Sequence, residues 1–349
     1  MRLEWKQYFL FLFILFFVPR SLDSLTILIT GGAGYVGSHV NKLLLEEGHH
    51  TIILDNLVNG DLRSVLGGEF IRGDVGDSYL LDQIFQQNHV DAVMHLAAFL
   101  EVGESVSHPL KYYTNNVMET ISLLNSMYRN GVKKIIFSSS CTIFGHEDSK
   151  LVREDHECHP ISPYGRSKLM VETILQDLSN AYDFRYCSLR YFNAAGADPE
   201  GKLKNYKRKH SMLIPIILNN IVEKKNKISI FGADYDTKDG TCIRDYIHVL
   251  DIAKAHLLAL NYLIQGGGSQ TYNLGNSKGY SVLDVIETVE KITGVGILRE
   301  NKSRRIGDPA ILVADFSKIR KDLGWSPIYP DLHTMIEHSW AATSLISNS

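Results

Sequence analysis

From Leu25 onward, short apolar runs rich in β-branched residues alternate with stretches whose apolar positions recur at helical spacing. Residues 25–30 read as a buried strand. A glycine-rich turn follows. Val40, Leu43 and Leu44 then mark one face of a helix over 38–47, Gly48 stops it, and 50–55 is a second strand. The alternation continues with strands at 70–74, 92–95, 134–138 and 184–190. Helices fall between them at 78–87, 109–130 and 164–182. This order predicts an α/β fold, a doubly wound parallel sheet whose functional groups gather where strands end. A smaller C-terminal lobe is expected to follow, with a helix near 282–292 and a strand in 309–315. The unit 25–196 holds the sheet, and 239–276 returns to it, notably 244–260 and 271–276. Segments 197–238 and 277–345 form the lobe. No internal repeat is visible.

The first 24 residues do not share this pattern. Residues 8–18 are eleven apolar positions in a row, with Arg2 and Lys6 before them and Pro19-Arg20 after. As helix they rise about 16 Å, too short for a hydrocarbon core of roughly 30 Å. That length suits the core of a leader, yet no small-x-small cleavage site follows. Three readings stay open: a leader or anchor, an over-extended start, or a tail. The chain meets a membrane only if this segment is a real anchor.

Composition narrows the picture. The 36 Lys and Arg against 39 Asp and Glu leave a formal charge of −3. That balance gives no reason to expect nucleic-acid binding. At 44% hydrophobic and 21% charged, the chain is ordinary globular material, long enough to bury a core without staples. Four cysteines without a CxxC pair fit reduced thiols in a cytoplasmic compartment. The histidines form no HxxxH or HxH set, so no metal is expected.

Two strand ends carry candidate chemistry. Gly31, Gly34 and Gly37 are spaced three apart, and Gly32-x-Gly34-x-x-Gly37 has the GxGxxG form between a strand and a helix. A pyrophosphate needs backbone N–H groups and a helix N-terminus close to it, and side chains would block that approach. Asp55, eighteen residues beyond Gly37, ends the next strand, where a carboxylate holds the ribose hydroxyls of NAD and repels the 2′-phosphate of NADP. Further on, Ser138-Ser-Ser140 ends a strand, and Tyr164 and Lys168 share one face of the helix that Pro163 starts. A phenol titrates near 10. A lysine ammonium one turn away, with the positive nicotinamide ring, favours its phenolate and so makes a base. Ser140 is placed to hydrogen-bond a substrate oxygen.

With these residues in place the sequence resembles the extended short-chain dehydrogenase/reductase superfamily. Within it, the chain is more specifically similar to the UDP-glucose 4-epimerases of the NAD-dependent epimerase/dehydratase family. The resemblance spans 25–340. It rests on the motifs at 30–38, 55–60, 73–75, 102–105, 112–117, 162–168, 190–193 and 304–310, and above all on Asp-Gly-Thr-Cys-Ile-Arg244-Asp-Tyr-Ile-His-Val at 239–249. It implies a Rossmann domain of the extended type with a UDP-sugar lobe, a tightly held NAD, and a homodimer built through four helices. It implies that Gly31, Gly34, Tyr35, Val36 and Gly37 take the pyrophosphate side of NAD. Asp55, Asn56, Asn59 and Gly60 would lie at the ribose, and Asp74 and Val75 at the adenine. Asn115, Tyr164, Lys168 and Tyr191 would lie toward the nicotinamide half. Asn193, Arg244, Arg305 and Asp308 would hold the sugar nucleotide, with Ser140 and Tyr164 at its sugar. The implied reaction interconverts UDP-glucose and UDP-galactose through a 4-keto sugar that turns about its diphosphate.

Some positions depart from the family. Leu100 replaces a lysine found in some relatives, and Met212 stands where Asn or His is frequent. Leu312 falls at a gate beside the sugar, where its bulk disfavours N-acetylated hexoses. The basic run 202–210 reads as a solvated loop. Other readings are a UDP-xylose/UDP-arabinose 4-epimerase or another UDP-sugar epimerase or decarboxylase. A different class is an inactive NAD-binding regulator, against which the Tyr164, Lys168 and Ser140 set argues.

Overall fold

A computed structural model describes residues 24–145, 150–204, 212–305 and 308–347. The apolar segment 8–18 and most of the basic run lie outside them. In chain order the first elements are β1 (Thr26–Thr30), α1 (Tyr35–Glu46), β2 (His50–Asp55), β3 (Glu69–Arg72), α2 (Ser78–Gln87) and β4 (Ala92–His95). Next come α3 (Val102–Ser107), α4 (Pro109–Tyr113), a wide π turn (Thr114–Met118), α5 (Glu119–Arg129), β5 (Lys134–Ser140), α6 (Pro163–Tyr182), β6 (Arg185–Tyr191) and β7 (Asn193–Ala195). The lobe and its returns add α7 (Leu213–Val222), β8 (Lys227–Phe231), β9 (Ile243–His248), α8 (Val249–Ile264), β10 (Gln270–Leu274), β11 (Gly279–Ser281), α9 (Val282–Thr293), β12 (Leu298–Lys302), β13 (Ile311–Leu312), α10 (Ser317–Leu323) and α11 (Leu332–Ser347).

Seven parallel strands form the main sheet in the order β10-β6-β5-β4-β1-β2-β3. The order reverses between β1 and β4, and a ligand crevice opens outside such a switch point. Both faces are covered, which is why the strands read as unbroken apolar runs. Side chains of β1 alternate between the two layers. Ile27 and Ile29 pack with Val40, Leu44 and Leu257 from α1 and α8; Leu28 packs with Leu81, Leu123 and Val171 from α2, α5 and α6. A third cluster closes the lobe around Ile217, Leu218, Ile286, Val289 and Met335. A fourth joins the turn after β5 to the lobe through Cys141, Phe144, Phe192 and Leu312.

Two expectations need correction. The stretch 244–260 does not extend the main sheet. β9 pairs with β7, β11 and β13 in a separate small sheet, while α8 returns to cover β5 and β6. Only β10 joins the edge, beside β6. The helix expected over 109–130 is interrupted by the π turn, where Glu119 N–H bonds to Thr114 C=O five residues back. Among the described residues, no helix is long and apolar enough to cross a membrane.

Candidate functional site

The glycine turn is tied to β2 by Gly31 N–H on Leu54 C=O at 2.9 Å. Gly31 has φ +72°, and a Cβ there would lie 2.6 Å from Ala97 N. A Cβ at Gly37 would lie 2.2 Å from Gly31 O, so the first turn of α1 seats directly on the loop. Helix α1 has no side-chain cap and no acid in its first turn, so its positive end is shaped to receive an anion. Asp55 is buried and orients this loop. One carboxylate oxygen accepts Ala33 N–H at 3.0 Å and the other Leu57 N–H at 2.8 Å. Gly60 stands close by, where a Cβ would lie 2.8 Å from Asp55 Oδ1, and Asn59 is exposed. These features fit a dinucleotide.

Around that rim, Asn56 Nδ2 donates to Asp74 Oδ2 at 3.1 Å, and Gly76 N–H to Asp74 Oδ1 at 2.9 Å. These bonds hold the Asp74 carboxyl below its usual range against a desolvation cost. Val75 points into the core under β3. The sequence reading missed Glu119, whose carboxyl lies by Gly76 beside Asp74. Burial and the Asp74 charge push it up to about 7. Val36 packs against the core, and Tyr35 reaches across to donate to Gly196 C=O at 2.6 Å.

Ser140, Tyr164 and Lys168 come together at the end of β5. Ser162 caps α6 by accepting Gly165 N–H at 3.1 Å, and Pro163 sets its first turn. Thr142 donates to Ser140 Oγ twice, through its N–H at 3.2 Å and its hydroxyl at 3.0 Å. That leaves the Ser140 proton for the Tyr164 phenol, whose titration Ser140 lowers. Lys168 Nζ donates to Ser138 C=O at 2.8 Å and stands 6.0 Å from the Tyr164 ring centre. Burial dominates both titrations. It lifts Tyr164 to about 12 against the Ser140 bond, and lowers Lys168 to about 7 against the charge of Glu172. The sequence reading gave the phenolate's stabilisation to two cations together, Lys168 and the nicotinamide ring; among the protein's own groups burial outweighs the rest.

Beneath this tier, Glu172 and Arg190 form a buried two-toothed ion pair at 3.1 and 2.7 Å, and Ser139 donates to Glu172 at 2.5 Å. None of the three was singled out from sequence. Asn115 lies in the π turn and donates to Asn116 Oδ1 at 2.9 Å. Tyr191 is buried at the end of β6. Its hydroxyl donates to His256 Nε2 at 2.6 Å, because His256 Nδ1–H is spent on Ile252 C=O at 3.0 Å. Its neighbour Phe192 packs instead with Cys141 and Leu312.

In the lobe, Asn193 Nδ2 donates to Asp245 C=O at 2.9 Å. The Arg244 guanidinium donates to Ile243 C=O at 2.9 Å and Pro309 C=O at 2.8 Å, and lies 3.7 Å from Asp308. Asp245 is buried under three backbone N–H donors, from Asn276, Ser277 and Ala314 at 2.8 to 3.1 Å. It fastens β9 to the segments after β10 and β13. The Arg305 guanidinium is exposed and sits 4.2 Å over the Phe231 ring, while its carbonyl accepts Asp308 N–H at 3.2 Å. Leu312 stands opposite Arg244 in register and is buried with Cys141, directly after Ser140. The lobe's basic group and the serine turn therefore face one seam.

Comparison with known proteins agrees with this geometry. The NAD dependent epimerase/dehydratase family matches residues 27–275. A UDP-glucose 4-epimerase of Halalkalibacterium halodurans is 47% identical over 316 residues, covering 90% of this chain and 95% of that protein. A UDP-glucose 4-epimerase of Brucella ovis in complex with NAD superposes with a TM-score of 0.88 at 40% identity, covering 91% of this chain and 98% of that one. The Bifidobacterium longum enzyme, in complex with NAD+ and UDP, gives 0.88 at 38% identity over 93% and 99%.

Proposed function

The chain belongs to the NAD dependent epimerase/dehydratase family, and we propose on that premise that it interconverts UDP-glucose and UDP-galactose at C4 of the sugar. The observation that carries the reading is the convergence of Ser140, Tyr164 and Lys168 beside a side-chain-free glycine cradle, with Arg244 across the seam. NAD, when bound, supplies the nicotinamide ring that takes the C4 hydride and gives it back. Gly31, Gly34 and Gly37 cradle its diphosphate, Asp55 its ribose, and Asp74 with Asn56 its adenine edge. Tyr164 takes the proton of the 4-hydroxyl. Ser140, itself fixed by Thr142, orders that oxygen. Arg244, with a rigid planar fork, grips the nucleotide diphosphate, and Asp308 and Arg305 line the same side. The nucleotide is held firmly and the hexose loosely, so the oxidised sugar can turn and present its other face. Residues 25–196 then serve the cofactor, and 197–238 with 277–345 the sugar nucleotide. All four cysteines are free thiols, which suits a cytoplasmic enzyme.

The test is a panel of UDP-hexoses and UDP-pentoses, with products separated chromatographically and weighed by mass spectrometry. UDP-glucose and UDP-galactose are expected to interconvert fastest. Faster turnover of UDP-xylose would move the assignment to a pentose epimerase. Leu312 fills the seam beside the serine turn. UDP-N-acetylglucosamine is therefore expected to turn over at least about tenfold more slowly than UDP-glucose, since a filled pocket rejects added bulk by roughly 1–3 kcal/mol. Leu312→Ala should narrow that ratio. Equal turnover of the two sugars by the unaltered enzyme would refute the gate.

A homodimer is part of the proposal. Leu110 and Met118 are 78% and 62% exposed, and Ile121, Tyr128, Met170 and Tyr182 are exposed beside them on α5 and α6. The rings of Tyr128 and Tyr182 touch at 4.7 Å, so these helices present one apolar face, and two copies would make four helices. Light scattering after gel filtration should give about twice 39.3 kDa, and Met118→Lys should shift it toward one chain. A monomer at micromolar concentration would remove this part.

A further inference from the structure

His95 ends β4 at the switch point. It is buried, its ring stacked on Phe137 at 5.9 Å, and both ring nitrogens are engaged. Nδ1 lies 2.7 Å from Thr30 Oγ1, on the strand that feeds the glycine turn. Nε2 lies 2.8 Å from Thr120 Oγ1, on α5 just past the π turn. The direction of each bond follows from the partners. The single Thr120 hydroxyl proton goes to Asn116 C=O at 2.8 Å. Thr120 must therefore accept from His95 Nε2–H. Burial, with Lys168 on the far side of Phe137, keeps the ring neutral, its pKa lowered to about 3. Nδ1 then carries a lone pair, and Thr30 donates to it.

The chain of bonds continues past the π turn. Asn116 is buried. Its Oδ1 accepts Phe99 N–H at 2.9 Å, and its Nδ2 donates to Phe99 C=O and to Ser167 Oγ, each at 3.1 Å. Ser167 in turn donates to the carbonyl of Tyr164 at 2.7 Å. An unbroken line of buried bonds thus runs from β1 through His95, Thr120, Asn116 and Ser167 to the backbone of Tyr164. A π turn is a local irregularity that needs support, and this line supplies it from the sheet.

We propose that His95 is a positioning residue for the proton-transfer site: as the neutral Nε2–H tautomer it locks the π turn to β1 and so fixes where α6 holds Tyr164 and Lys168. The inference rests on the epimerase reading for its kinetic readout, but not for its spectroscopic one. A base misplaced by about an ångström loses on the order of a hundredfold in rate. In His95→Leu, kcat for UDP-galactose should therefore fall ten- to hundredfold with KM within about threefold. The acid limb of the kcat profile should also move. Gln can donate and accept at once, so His95→Gln should recover most of the loss. Thr120→Val, a near-isosteric change, should reproduce the His95→Leu defect, and the double variant should be no worse than either single one. Nitrogen-15 spectra of the holoenzyme should show one imidazole fixed as the neutral Nε2–H form from pH 6 to 9, absent in His95→Leu.

Normal kcat and an unmoved pH profile in both Thr120→Val and His95→Leu would overturn the proposal. So would a loss that tracks the melting temperature and is not rescued by Gln, or an Nδ1–H or charged form of the imidazole that His95→Leu removes. If the unaltered enzyme turns over no UDP-sugar, the functional reading fails instead, and the imidazole spectrum still decides the tautomer.

Discussion

Tyr164→Phe is expected to leave the fold and the NAD content intact and to lower kcat about a thousandfold, within the range of 10² to 10⁴ that a positioned base contributes. The ring would still fill its buried place against Tyr112, whose ring lies edge-on at 6.5 Å. Only the oxygen that Ser140 addresses is lost. The pH dependence makes the prediction sharper. A base works deprotonated, so kcat should rise with pH through the phenol's apparent pKa and level off above it. The protein's own groups set Tyr164 at about 12. To act near pH 7 it must come down by about five units, on the order of 7 kcal/mol of differential stabilisation at about 1.4 kcal/mol per unit. Ser140 is one contributor. Lys168 cannot be a full one at neutral pH, because burial lowers it to about 7. The two groups should titrate as a pair, since a phenolate beside Lys168 favours the ammonium and the ammonium favours the phenolate. Replacing Lys168 by Met should then move the acid limb of kcat to higher pH rather than abolish it. Stopped assays across the pH range, with NAD content measured on each sample, check both variants. Turnover by Tyr164→Phe within tenfold of the unaltered enzyme would end its role as base.

Much of this site was legible because its residues obey local rules. Ser162 and Pro163 start α6 by capping chemistry, so the spacing of Tyr164 and Lys168 translates directly into one helix face. The strand His50–Asp55 ends where its apolar run stops, which put Asp55 at the rim. The misses share a different cause. A run such as Ile243–His248 advertises burial but not its partner, and β9 went to a second sheet because Asp245 and Asn193 tie it there. The π turn leaves no mark in a hydrophobic pattern, because the residues on either side keep helical spacing. His95 looked like one more scattered histidine, since both of its partners lie at least 25 residues away in sequence. Long-range hydrogen bonding is what the pattern of a single chain does not display.

Gly37→Ala is expected to strip the protein of its dinucleotide, although alanine is the better helix former by about 1 kcal/mol. The methyl group would sit 2.2 Å from Gly31 O and 2.8 Å from Gly32 Cα. Both are backbone atoms, so no side-chain rotation relieves the clash. Gly31 is itself held at φ +72° against Ala97, and cannot retreat without breaking its bond to Leu54. The first turn of α1 has to lift off the loop, and the N–H groups that would meet the diphosphate move with it. Overpacking of this kind costs roughly 1–3 kcal/mol or more, which exceeds the propensity gain. Copurified NAD, released by denaturation and quantified, should fall at least tenfold, with a lower melting temperature and loss of turnover in proportion to the lost cofactor. Gly34→Ala is the control, because its Cβ would meet Gly31 O at 3.0 Å, tight but within reach of a small shift. It should retain measurable NAD. If Gly37→Ala kept full cofactor and an unchanged melting temperature, the close seating of α1 on the glycine turn would not be what holds the ligand, and the cradle assigned to the diphosphate would have to lie elsewhere along the switch point.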